Sequence, residues 1–119
     1  MERASRRLRR ADRILTSREF RVASQEGKRC GTRAFVVLWM MPRRESERAR
    51  IGLTVSRKVG NAVVRNRIKR RVREWFRTQG RELLGKGSLV VIARRPAGDL
   101  RGVELGELLK TLVQRVMAA

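Results

Sequence analysis

The chain has 119 residues and a formal net charge of +20, from 31 Lys+Arg against 11 Asp+Glu, with no histidine. That length suits one domain, and an apolar share of 41% supports a buried core without a disulfide or metal staple. There is no run of about 18 apolar residues to span a bilayer, and the basic N-terminus has no apolar secretory stretch, so a cytoplasmic protein partnered by a polyanion is expected.

Residues 1–15 read as a basic arm, with Arg3, Arg6, Arg7, Arg9, Arg10 and Arg13 among few apolar residues. Such an arm either stays solvated or orders on phosphate. The domain proper is expected over 16–119. Thr16 and Glu19 match a capping box, which predicts a first helix over 16–26 closed by Gly27. Residues 32–41 are β-branched and aromatic between Gly31 and Pro42, hence a strand. A charged loop over 43–48 follows. In 49–56, Ile51, Leu53 and Val55 alternate with Arg50, Gly52, Thr54 and Ser56, the period of a half-buried strand. These two strands are expected to pair antiparallel across the charged loop.

The strongest helical signal runs over 61–78. Asn61 is a good N-cap after Gly60. Val64, Ile68, Val72, Trp75 and Phe76 form the apolar stripe. Residues 88–93 are continuously apolar and predict a buried strand that ends at Arg94, Arg95 and Pro96. A last helix over 103–117 turns Leu105, Leu108, Leu109, Leu112, Val113 and Val116 inward. Cys30 is the single cysteine, so it forms no internal disulfide and reads as a small filler.

The chemistry is concentrated in 57–77, which holds nine basic residues and one acidic residue, Glu74. At roughly 100° per residue, Asn66, Lys69, Arg70, Arg73 and Arg77 share one helix face, with Arg65 at the shoulder of the apolar stripe. Guanidinium forks donate paired hydrogen bonds to phosphate. Asn66 adds a donor and an acceptor suited to a base edge or a 2′-hydroxyl. A merely solvated basic face is the plainer alternative. Without histidine, and with scattered carboxylates, the polypeptide itself is not expected to cut nucleic acid.

The run Ser56-Arg-Lys-Val-Gly-Asn-Ala-Val-Val-Arg-Asn-Arg-Ile-Lys-Arg-Arg-Val-Arg-Glu74 resembles the signature of the bacterial ribonuclease P protein family, marked by the triplet Arg65-Asn66-Arg67 and the pair Lys69-Arg70. Weaker likeness extends over the basic arm, Phe20, Phe35, the Ile51-Gly-Leu-Thr-Val-Ser56 segment and the Val90-Val-Ile-Ala-Arg-Arg-Pro-Ala97 segment. The resemblance implies a single α+β domain of α-β-β-β-α-β-α order with a mixed four-stranded sheet. Its fourth strand is supplied by the family and not by the residues. The implied βαβ crossover is left-handed, against the usual rule.

The resemblance also implies two RNA surfaces. Arg57, Lys58, Asn61, Arg65, Asn66, Arg67, Lys69, Arg70 and Arg73 would meet the catalytic RNA. A cleft between the first helix and the sheet, with Phe20, Phe35 and Ser56, would hold the 5′ leader of precursor tRNA, where unpaired bases stack on aromatic rings. Phe20 equally suits core packing, and strand alternation leaves Phe35 free to face either side. Ser24 and Leu38 stand where aromatics are common in the family. Mg²⁺, held mainly by the RNA, would supply the nucleophile and stabilise the leaving oxygen, with no metal bound tightly by the protein. The implied partners are the catalytic RNA and precursor tRNA, with no membrane and no DNA.

Two other readings stay open at this level. A structural ribosomal protein explains the charge, the size and the missing histidine, but not the ordered motif. A major-groove DNA reader would need a short helix before the long one, where a strand is predicted.

Overall fold

The computed structural model describes residues 17–42 and 48–119. The basic arm and Thr16 of the proposed capping box lie outside the described residues. The order is α1 (Ser17–Glu26), β1 (Lys28–Gly31), β2 (Phe35–Met40), β3 (Arg50–Val55), a 3-10 turn (Arg57–Val59), α2 (Ala62–Trp75), a π-helical turn (Phe76–Gly80), α3 (Arg81–Leu84), β4 (Ser88–Ala93), a second 3-10 turn (Arg95–Asp99) and α4 (Gly102–Ala118). The expected α-β-β-β-α-β-α sequence is present, with a short helical extension after α2.

The four strands form one mixed sheet in the order β1-β2-β4-β3. β2 runs antiparallel to β4 in the register Phe35↔Ala93 to Met40↔Ser88, and β3 runs parallel to β4 from Arg50↔Ser88 to Val55↔Ala93. The expected pairing of β2 with β3 is therefore wrong, because β4 lies between them. The physical reason is polarity. β4 offers no charged residue to either face, so it takes the centre, where both edges are hydrogen-bonded and helices cover both faces. β3 carries Arg50 and Thr54 and takes an edge, with Thr54 exposed. β1 (Lys-Arg-Cys-Gly) has no apolar alternation to betray it. It is a mostly exposed edge strand defined by its backbone ladder to β2.

Strand parity separates two cores. Phe35, Val37, Ile51, Val55, Leu89 and Val91 face α2 and α4 in the main core. On the opposite face, Leu38 and Val90 pack with Ala23 of α1, flanked by Met40 and Ile92. The Arg50 guanidinium forms a forked ion pair with Glu19, its Nη2 lying 3.2 Å from Oε1, and this fastens α1 to the start of β3.

The long helix does not stop near residue 78. Phe76 donates to both Arg73 and Val72 carbonyls, and the coil widens through a π turn before resuming as α3. In a π turn residues five apart become neighbours, and this sets Gly80 against Trp75. A Cβ at Gly80 would lie 2.7–3.0 Å from three carbons of the Trp75 ring. Gly80→Ala is expected to cost about 1–3 kcal/mol by overpacking, read as a fall in the urea midpoint with an unchanged m-value. The helix ends at Gly85, whose φ of +73° favours glycine.

Candidate RNA interface

α2 is positioned from both ends. Asn61 accepts the Val64 N–H on its side-chain oxygen at 3.0 Å, an N-cap worth about 0.5–2 kcal/mol. Ile68, Val72 and Trp75 bury one side of the helix in the main core. The remaining circumference carries the charge.

The structure sorts the nine sequence-proposed RNA-contact residues into groups. Arg57 and Lys58 are exposed on the 3-10 turn that leads into α2. Asn66, Arg70 and Arg73 are exposed and Lys69 half-buried on one face of α2. Neither Lys69, Arg70 nor Arg73 makes a hydrogen bond or ion pair among the described residues. Asn61 has committed its oxygen to the cap, leaving its amide NH₂ for a partner. Arg65 is half-buried, and its Nε has no hydrogen-bond partner.

Arg67 is engaged differently. Its Nη2 donates to the Gly98 carbonyl at 3.2 Å, and Nη1 of Arg71 donates to the Leu100 carbonyl at 2.6 Å. These two arginines tie α2 to the second 3-10 turn. Helical phase carries the signal, since Arg67 and Arg71 lie roughly 100° and 140° around the helix from Asn66. Charge alone cannot tell a clamping arginine from a free one. Arg71→Met is expected to destabilise the fold by about 1.5–3 kcal/mol, the value of a charge-assisted hydrogen bond, whereas Arg70→Met leaves the denaturation midpoint in place.

Glu74 is the one acidic group on this stretch of helix. Arg77 donates to it from Nε at 3.2 Å and from Nη2 at 2.5 Å. The hydrogen bond from Arg77 holds the Glu74 carboxyl below its usual range, opposed by a little burial, so it is ionised at neutral pH. Glu74→Gln deletes that charge and frees Arg77. Affinity for RNA should rise at low salt, and the salt dependence should steepen by up to about 0.7–0.9 in log K per log salt, one added phosphate contact.

Two of the three proposed leader residues can be placed. Ser56 is exposed at the C-terminal end of β3. Phe35 is fully buried in the main core, on the sheet face opposite α1. This corrects its assignment to the leader cleft: on β2 the positions that face α1 are Val36, Leu38 and Met40, one residue out of phase. Phe20 falls within α1, and its side chain lies outside what the structure describes.

A strand and a short turn, not a helix, lead into α2, so the arrangement a helix-turn-helix reader requires is missing here. A mixed sheet, helices on both faces and an unpaired cationic helix face together define a small RNA-binding α+β protein. The profile of the ribonuclease P family matches residues 8–117. The chain is 40% identical over 108 residues to the ribonuclease P protein component of Shouchella clausii, covering 91% of this chain and 88% of that one. It is 38% identical over 104 residues to that of Staphylococcus carnosus, covering 87% and 89%. Among solved structures, the RNase P protein of Staphylococcus aureus superposes with a TM-score of 0.78 at 33% identity, covering 87% of this chain and 94% of that one. The RNase P protein of Thermotoga maritima gives 0.72 at 33% identity, covering 86% and 96%. The chain belongs to the ribonuclease P protein family.

Proposed function

We propose that this chain, as the protein component of a ribonucleoprotein endoribonuclease, docks on the catalytic RNA through the α2 face and promotes removal of the 5′ leader from precursor tRNA. The observation that carries the reading is the set Lys69, Arg70 and Arg73, without hydrogen-bond or ion-pair partners among the described residues, on a helix anchored by its other side. Arg57 and Lys58 extend that surface, and Arg65 and Asn66 complete it. Cations held in place lower the repulsion between two polyanions and release counterions on binding. The single-stranded leader is assigned to the α1 side of the sheet, with Ser56 at its end and Phe20 on α1. The basic arm, 1–15, adds phosphate contacts ahead of the domain at 16–119.

Among the described residues no group of three or more His, Cys, Asp or Glu side chains is gathered to hold a metal ion. In this reading the metal-assisted step belongs to Mg²⁺ held mainly by the RNA. No described helix is long and apolar enough to cross a membrane. With precursor tRNA as the proposed substrate, the proposed site of action is the cytoplasm.

The direct test mixes purified protein with a bacterial ribonuclease P RNA and labelled precursor tRNA at low Mg²⁺. The expected result is a rate well above that of RNA alone, with no cleavage by protein alone. An unchanged RNA-only rate, or cleavage without the RNA, overturns the proposal.

A further inference from the structure

A groove of about 460 Å³ runs between the C-terminal half of α2 and the N-terminal half of α4. Trp75, Gly106 and Val103 give it an apolar lining, with Arg70, Arg71 and Glu74, the last held by Arg77, on the α2 side and Glu107 on the α4 side. Val103 is 80% exposed at the rim of the groove. Arg71 is occupied by the Leu100 carbonyl, which leaves Arg70 as the available cation. The Glu107 carboxylate has no ion-pair partner among the described residues.

The groove is continuous with the cationic face, because Arg70 belongs to both. Its charge is graded from the free Arg70 guanidinium on the α2 wall, where Glu74 is held by Arg77, to the Glu107 carboxylate on the α4 wall, across an apolar floor beneath which Trp75 is nearly buried. That gradient suits a nucleotide: phosphate pairs with Arg70, the uncharged base fills the apolar part, and Glu107 accepts from ring or exocyclic N–H groups at the base edge. A second phosphate would be repelled at the Glu107 side. We infer that this groove receives one unstacked nucleobase of the catalytic RNA. The inference rests on the reading that α2 docks on that RNA.

Val103→Trp places an indole across the groove from an exposed position, so the fold and its melting temperature are expected to be unchanged. In titrations of a ribonuclease P RNA against salt, this variant should bind about tenfold more weakly with the salt slope preserved, since no phosphate contact is lost. Arg70→Met should instead flatten the slope by about 0.7–0.9. Base-specific chemical probing of the complex should show one nucleotide protected by the parent protein and reactive with Val103→Trp. As a second readout, Trp39→Phe leaves Trp75 as the only tryptophan, and its emission should be quenched on saturation with RNA. Equal or tighter binding by Val103→Trp, a slope reduced by a full contact, or Trp75 emission unaffected by RNA overturns the inference. If Lys69, Arg70 and Arg73 can also be reversed without loss of binding, it is the docking reading itself that has failed.

Discussion

Reversing Lys69, Arg70 and Arg73 to Glu together should weaken binding to a ribonuclease P RNA by at least about 100-fold near physiological salt and reduce the salt slope by about two to three. None of the three side chains makes a hydrogen bond or ion pair among the described residues, so no polar contact there is lost. Their reversal relieves part of the self-repulsion that accompanies a net charge of +20, and the melting temperature should hold or rise. Processing of precursor tRNA at low Mg²⁺ should fall with binding, and added Mg²⁺ should restore it in part by screening the same repulsion. Arg67 is left out deliberately, because its bond to the Gly98 carbonyl would mix a folding defect into the result. Wild-type affinity in the triple variant would remove the α2 face from the interface.

The second large effect concerns Phe35. Phe35→Ala is expected to cost about 3–5 kcal/mol of stability, the usual penalty for emptying a fully buried aromatic site. That is a large part of the 5–15 kcal/mol typical of a domain. Chemical denaturation should show it as a much lower midpoint, and the RNA-bound protein should recover part of the loss by linkage. A residue that only stacked on the leader would behave in the opposite way, with an unaltered midpoint and weaker binding of long-leader precursors. Leu38 sits on the α1 face of the same strand, so Leu38→Ala perturbs the smaller core and serves as the paired comparison.

These expectations show where residue patterns suffice. Helix α2, its Asn61 cap, its buried stripe and its cationic face are all local consequences of 3.6-residue periodicity and composition, and the structure has them where the pattern puts them. Strands β2, β3 and β4 were legible from their apolar runs. β1 was not, because a short, charged edge strand is stabilised by a neighbour's backbone and not by its own side chains. Phe35 could not be assigned to a face from β2 itself, because a strand buried on both sides shows no alternation to break the tie.

By itself, then, the sequence determined the main helices and the strands β2, β3 and β4, the family and a helix whose cations outnumber any acidic partners. Only the tertiary structure decided the insertion of β4 between β2 and β3, the burial of Phe35, the π turn that seats Gly80 on Trp75, and which arginines are free. The reason is common to all four. Each depends on a contact between residues whose alternatives are locally equal in energy, and packing across the whole domain breaks the tie.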